Sequence, residues 1–196
     1  MIRKDLVLEN EHVRLEPLEP RHASDLFEAG NDIEVWRKAG RSNQMSSLAA
    51  TFEYVDDALH GQIGGVPFAI IEKQSAKAIG STRYFEISEH DGKLEIGWTW
   101  IGRKHWRTRI NSSCKFLLLE YAFETAGVQR VQLKADAAND RSRAAILRLG
   151  ATYEGTLRNF RVIEGALRSV SYYSILRDEW PSVRARLEIE STVQTG

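Results

Sequence analysis

Residues 12–18 alternate, with Val13 and Leu15 turned one way and Arg14 and Glu16 the other, and Pro17 and Pro20 close the run as a strand. Ala23, Leu26 and Phe27 then supply the apolar stripe of a helix. A second helix carries Leu48, Phe52, Val55 and Leu59 at helical spacing until Gly61. Three β-like runs follow, Phe68 to Lys73, Ala78 to Ile87 and Leu94 to Ile101. The last two meet through the turn dipeptide Asp91-Gly92, so the pattern predicts an antiparallel meander. From Ile110 the apolar positions fall at Cys114, Leu117, Leu118, Tyr121 and Ala122, one face of a helix ending before Gly127. Val128 to Ala135 reads as a strand and Asp140 to Leu149 as a helix stopped by Gly150. Tyr153 to Ile163 and Leu167 to Leu176 form a hairpin turning at Glu164-Gly165. The expected order is β-α-α-β-β-β-α-β-α-β-β, an α/β (α+β) fold.

A chain of 196 residues with 42% hydrophobic positions suits one domain with one core, spanning 1–196, and argues against disorder; only the polar stretch from about Glu190 to Gly196 looks dispensable as a flexible tail. Lys plus Arg and Asp plus Glu both number 27, so no global field steers the molecule onto nucleic acid or an anionic membrane. Cys114 stands alone, which excludes an intramolecular disulfide and fits a reducing cytoplasm. No apolar run approaches the roughly 20 residues that cross a bilayer, and the first ten residues lack a signal-peptide core. The five histidines show no ligand spacing, so no metal site is expected.

The stretch Gly102 to Asn111, GRKHWRTRIN, concentrates Arg103, Lys104, Arg107 and Arg109 with Thr108 and Asn111 at the mouth of the helix that begins near Ile110. Free N–H groups of a first helical turn, the positive end of its macrodipole and guanidinium groups together favour a pyrophosphate. The same residues also fit a solvated basic loop with Asn111 as an ordinary cap.

The segments LEPLEPRHASDLFEA, IGSTRYFEI, LEIGWTWIGRKHWRTRINSSCKFLLLEYAFE and NDRSRAAILRLGATYEGTLR together resemble the GNAT superfamily of N-acetyltransferases. More narrowly they resemble the branch of the ribosomal-protein N-terminal (Ser/Ala) acetyltransferases. The resemblance covers about residues 10 to 180 and is most specific over Asn111–Glu124 and Asn139–Gly150. It implies a mixed, mostly antiparallel seven-stranded sheet splayed between the fourth and fifth strands, with acetyl-CoA (coenzyme A) in the gap and an amine arriving from the other side. The superfamily's pyrophosphate loop, Q/R-x-x-G-x-G/A, falls here on Trp106, Arg107, Thr108, Arg109, Ile110 and Asn111, without either glycine. Since glycine allows close backbone approach to a ligand, this loop is a variant, of a W-R-T-x-x-N kind familiar in the branch. The resemblance puts the cofactor against Arg107, Thr108, Arg109, Ile110, Asn111 and Ser112.

Amine acetylation needs a neutral amine, a stabilised oxyanion and a proton for the departing thiolate, and no metal. Glu95 in LEIGWTWI is the candidate base, on the face expected to hold Gly97 and Thr99, opposite Leu94, Ile96, Trp98 and Trp100; a strand glutamate paired with a neighbouring Arg is the bland alternative. Gly97 would mark a bulge or a close ligand approach. The resemblance implies that the backbone of Trp98, Thr99, Trp100 and Ile101 pairs with the pantetheine arm and donates an N–H to the oxyanion. It also matches Asn139 and Ser142 to an N-x-x-S variant, Asn139 and Ser142 holding cofactor and Ser142 giving the proton, whereas capping alone would explain Asn139 and Asp140. The position of the family's usual tyrosine acid is Ile146. Cys114 lies on its helix's apolar stripe and is expected to be inert. Trp98, Trp100 and Trp106 fit either an acceptor pocket or core packing. The acceptor is a protein N-terminus or a small-molecule amine, and a homodimer would be ordinary for such enzymes. The alternative is a non-catalytic CoA-binding or sensing module on the same fold, suggested by the missing glycines and Ile146.

Overall fold

The computed structural model describes residues 2–37 and 39–193, with side chains described to residue 188. Strands β1 (Leu8–Glu9) and β2 (Val13–Pro17) lead into helices α1 (Ala23–Gly30), α2 (Ile33–Arg37) and α3 (Leu48–His60). Then come β3 (Val66–Glu72), β4 (Lys77–Ser88), β5 (Lys93–Ile101), α4 (Ile110–Glu120), β6 (Arg130–Asp136) and α5 (Asp140–Arg148). The chain closes with β7 (Thr152–Ile163), β8 (Ala166–Leu176) and α6 (Trp180–Val193). Every element expected from the pattern is present, and β1, α2 and α6 are additional. The sheet therefore has eight strands, not seven, in the order β1-β2-β3-β4-β5-β6-β8-β7. The expected tail is helical as far as Val193, and residues 194–196 lie outside the described residues.

Local chemistry explains the elements. Ser47 Oγ accepts from Ala50 N at 3.1 Å and starts α3. Glu164 and Gly165 both adopt positive φ, 47° and 79°, the geometry that closes a two-residue hairpin between β7 and β8. Leu117, Leu118 and Leu119 of α4 pack with Leu94, Ile96, Val131 and Leu133 in one core, which α6 seals through Trp180, Val183 and Leu187. On the other face Leu26, Val35, Trp36, Val55 and Trp100 form a second core beneath α1 and α3. Burying each such side chain contributes roughly 1.5–3 kcal/mol, so both faces of the sheet are firmly covered.

The sheet is antiparallel throughout except between β5 and β6. Those two strands pair in parallel only at Lys93↔Arg130, Leu94↔Val131 and Glu95↔Gln132. Beyond Glu95 they diverge, which is the splay expected between the fourth and fifth predicted strands. The diverging edge of β5 leaves backbone groups of residues 96–101 facing a gap, while its other edge stays paired to β4 through Gly97↔Arg83, Trp100↔Ser81 and Ile101↔Gly80.

Candidate active site

The gap opens into a cleft of about 1870 Å³, lined among others by Glu95, Trp98, Arg109, Asn111, Lys115 and Ser142. One side belongs to β5, another to the start of α4 and a third to the start of α5. The split thus brings together nearly all the residues singled out from the sequence.

Strand β5 departs from simple alternation. Trp98 has φ of 52°, in the left-handed region, and four residues from Gly97 to Trp100 oppose three on β4 from Arg83 to Ser81. This is a β-bulge, and one extra residue reverses every later side chain. The expected faces are corrected accordingly. Trp100, not Thr99, shares the face of Glu95 and Gly97, and it packs 5.1 Å from Trp36 by ring centroid, with its Nε1 donating to Tyr54 Oη at 2.9 Å. Trp100 is thus a core residue. Thr99 turns to the opposite side, where it accepts from Lys115 Nζ of α4 at 2.6 Å and bonds Thr82 Oγ1 at 2.7 Å. Gly97 is required by packing, since a Cβ there would stand 2.7 Å from Phe85 Cε1.

Glu95 is 2% exposed, yet it is not paired with an arginine. Its Oε2 accepts from Lys134 Nζ at 2.7 Å and from Gln132 Nε2 at 2.8 Å, both on β6. Burial pushes its carboxyl above the usual range, outweighing the lowering by Lys134 and Gln132. For Lys134 burial works downward, but the bonds and charges of Glu95 and Glu86 hold its ammonium above the ordinary value. The result is a desolvated carboxylate, more basic than usual and oriented by a cation, a suitable arrangement for taking a proton from an amine.

The loop after β5 is ordered by its own side chains. Trp106 Nε1 donates to the Ile101 carbonyl at 2.8 Å, so that end of the β5 edge is occupied. Thr108 Oγ1 donates to His105 O at 2.7 Å and accepts from Ile110 N at 3.4 Å. The left-handed conformation falls on Arg107, φ 64°, whereas Arg109 at the N-cap has φ −70° and ψ −12°. The positions where the family writes glycine therefore need none for backbone conformation. Ser113 N closes the first helical bond to Arg109 O at 2.9 Å. Helix geometry leaves the N–H groups ahead of it, at Asn111 and Ser112, without intrahelical acceptors. Arg109 caps with no side-chain bond, and its Nη2 is buried without a hydrogen-bond partner. Arg141 of α5, absent from the sequence reading, lies 3.7 Å over the Trp106 ring and adds a further cation beside this turn.

At α5, Asn139 Oδ1 accepts from Ser142 N at 3.1 Å, so the capping reading of Asn139 holds. Its Nδ2 is left to donate elsewhere. Ser142 is half-buried on the cleft wall, and Ile146 is buried in the core. Cys114 is fully buried and unpaired, and burial pushes its thiol up to about 12, which leaves it unreactive. Lys115 was also missed. It is buried in the leucine-rich stripe of α4, and burial pushes its ammonium down to about 8. Among the described residues no group of three or more His, Cys, Asp or Glu is placed to hold a metal ion, and no helix is long and apolar enough to cross a membrane.

A split parallel strand pair with an open helix N-terminus at its mouth defines an α/β protein whose cleft ends at a helix start favourable to an anion. The chain belongs to the GNAT acetyltransferases, because the family described as "Acetyltransferase (GNAT) domain" matches residues 12–152. Among solved structures, a protein from T. thermophilus provisionally named an acetyltransferase is 36% identical at a TM-score of 0.87, covering 97% of this chain and 99% of that one. The uncharacterized N-acetyltransferase p20 of Bacillus licheniformis is 27% identical over 176 residues, 88% of this chain and 97% of the relative. YdaF of Bacillus subtilis (strain 168), provisionally named a ribosomal N-acetyltransferase, is 27% identical over 179 residues, 87% and 94% of the two chains. That relative supports the branch which the motifs resemble.

Proposed function

We propose that this protein is an acetyl-CoA-dependent N-acetyltransferase that moves acetyl directly to a primary amine, of a protein N-terminus or a small molecule, within a ternary complex. The observation that carries the reading is the uncapped start of α4, where the buried Arg109 Nη2 lacks a partner at the mouth of the gap. A buried guanidinium nitrogen beside free backbone N–H groups fits a diphosphate. In this reading Arg107, Thr108, Arg109, Asn111 and Ser112 hold the diphosphate, and Ile110 anchors the turn in the core. The diverging β5 edge from Trp98 to Trp100 lies along the pantetheine arm, with the Ile101 carbonyl held by Trp106 at its end, and Asn139 Nδ2 adds a donor.

When bound, acetyl-CoA supplies a thioester activated towards amines. Glu95, more basic than an ordinary carboxylate and steadied by Lys134, accepts the proton of the incoming amine, directly or through water. Backbone N–H groups on the free edge of β5 stabilise the developing oxyanion. The Ser142 hydroxyl gives a proton to the departing thiolate and regains one from solvent, to which Glu95 releases the amine's proton. Cys114 is too buried to carry acetyl, which supports direct transfer. A cytoplasmic setting belongs to the same reading, since the lone buried thiol suits reducing conditions. A homodimer does too, because the outer hairpin exposes Leu157 by 48%, Phe160 by 49%, Val162 by 64% and Leu167 by 61%.

The test is thermal stabilisation by acetyl-CoA followed by acetyl-CoA consumption with a panel of amines and peptides. A ligand at about 100 times its dissociation constant adds about 2.7 kcal/mol, roughly 5–10 °C for a domain of this size. No melting shift removes the cofactor from the account. A shift without turnover by any amine favours the second reading, a non-catalytic CoA-binding or sensing module, for which the supporting observation is the buried Ile146 at the position of the family's usual tyrosine acid.

A further inference from the structure

Arg83, on β4 opposite Gly97, is 2% exposed and ranks among the largest fully buried side chains. Its Nη1 is buried without a hydrogen-bond partner. Its guanidinium lies 4.9 Å from the Trp98 ring, and a second guanidinium, Arg41 from the loop before α3, lies 5.0 Å from the same ring. The bulged, left-handed Trp98 therefore presents its indole to two cations, an attractive contact that does not neutralise either charge. Arg161 of β7 adds to the positive field, since it and burial together disfavour the charged form of Arg41. Arg41, Trp98 and Arg161 line the cleft, while Arg83 is buried beside the Trp98 ring and acts on the cleft through its charge.

The acidic groups nearby are largely engaged elsewhere, although Glu164 also attracts Arg41. Glu95 and Glu86 bond Lys134, while Glu164 accepts from the Ser42 backbone N at 2.6 Å and from Ser42 Oγ at 3.0 Å. Asp136 Oδ1 accepts from Ala138 N, while its Oδ2 faces Arg168 Nε at 4.0 Å and is buried without a hydrogen-bond partner. An arginine cannot shed its charge, and a buried one without a counter-charge is unfavourable unless a ligand supplies it. These cations stand on the Glu95 face of β5, away from α4, where the amine is expected to enter.

We propose that the acceptor amine carries an oxyanion group, a carboxylate or a phosphate ester, and that Arg41 at the Trp98 ring, with the buried charge of Arg83 beside the same ring, forms the site that selects it. This deepens the acetyltransferase reading and rests on it. Guanidinium forks match the planar oxygens of both groups, and the cation cluster would repel a polycationic acceptor. Arg83 and Arg41 are specificity residues here and do not touch the thioester.

The experiment uses acetyl-CoA with paired amines that differ only in the anionic group: glutamate against glutamine, and O-phosphoserine against serine. Turnover and thermal shift in the presence of CoA are read for wild type, Arg83→Met and Arg41→Ala. The anionic member of at least one pair should be preferred by about tenfold or more, corresponding to about 1.4 kcal/mol. Either variant should abolish that preference and leave stabilisation by acetyl-CoA intact. Arg41→Ala, on a half-buried loop, serves if Arg83→Met does not fold. The preferred pair tells carboxylate from phosphate. Equal use of both members, a preference that survives in the variants, or no turnover or binding of any anionic member while acetyl-CoA still stabilises, overturns the inference. Loss of acetyl-CoA stabilisation in the wild type overturns the underlying reading instead.

Discussion

Two helices begin at the cleft, and their starts are built in opposite ways. The α5 start is closed by its own chain, with Asn139 Oδ1 on Ser142 N and an acid, Asp140, in the first turn. At the α4 start the N-cap Arg109 makes no side-chain bond, the Thr108 hydroxyl reaches only Ile110 N, the first turn has no acid, and Arg109 has a buried unpartnered nitrogen. A helix end that satisfies itself gains stability from its cap and dipole partner. One that leaves donors free gives up that stability and keeps a place for an anion. The difference separates a helix start whose backbone donors and dipole are largely satisfied by its own chain from one left open to an anion within a single cleft.

The largest expected effect comes from making the α4 start resemble that of α5. Ser112→Asp places a carboxylate in the first turn of α4, which favours the helix dipole but occupies the anion position. CoA affinity should fall by about 100-fold with no loss of melting temperature, as read by calorimetry and thermal melts. The mirror change, Asp140→Asn, should leave CoA affinity within about threefold; a large loss would erase the contrast. On the reacting side, Glu95→Gln should lower kcat by roughly 100-fold, within the range for general bases, with CoA affinity unchanged. Steady-state kinetics with a working amine decides this, and an unaltered kcat removes Glu95 from the chemistry.

A smaller effect concerns Lys115, the buried cation between α4 and β5. Its ammonium is held at about 8 in the fold against 10.5 ordinarily, so the folded state disfavours the charge by roughly 3 kcal/mol at pH 7. Between those two values the unfolded chain binds the proton more tightly, and stability from this group rises with pH. Lys115→Met should therefore be more stable than wild type at pH 7, less whatever the Thr99 bond contributes. Its advantage should shrink as melts are taken from pH 8 towards pH 10; a constant difference would refute the buried charge. The smallest effect is Asn139→Ala, which loses a cap for about 1 kcal/mol and lowers the melting temperature by about 2–4 °C. No melting change would show that the Asn139 cap contributes nothing.

The periodicity of the chain made most of this fold legible. Alternation at Val13 and Leu15, the leucine stripe of α4 and the Glu164-Gly165 turn each rest on local physics that tertiary contacts reinforce. The basic loop before α4 and the Asn139-x-x-Ser142 start of α5 also converge as the motifs imply. Alternation failed at Trp98: Gly97 signalled a bulge or a close approach, but nothing in LEIGWTWI puts the extra, left-handed residue at Trp98, and that one residue exchanged the faces of Thr99 and Trp100. The Lys134 partner of Glu95 was illegible for another reason: it depends on the parallel register of two strands about 40 residues apart, which no local pattern specifies. Lys115 left a faint trace, a cation one turn before Leu118 and Leu119 within an otherwise apolar stripe. Helix α2 spans only five residues and β1 two, too short for a period to register.

The claim on which the account turns is that the start of α4 receives a diphosphate. Calorimetric titration of CoA into wild type and Arg109→Met tests it most directly, since the substitution removes the buried orphan nitrogen without opening the core. The account predicts affinity at least tenfold weaker in the variant, with melting temperature maintained or raised. Equal affinity in the two proteins would contradict it.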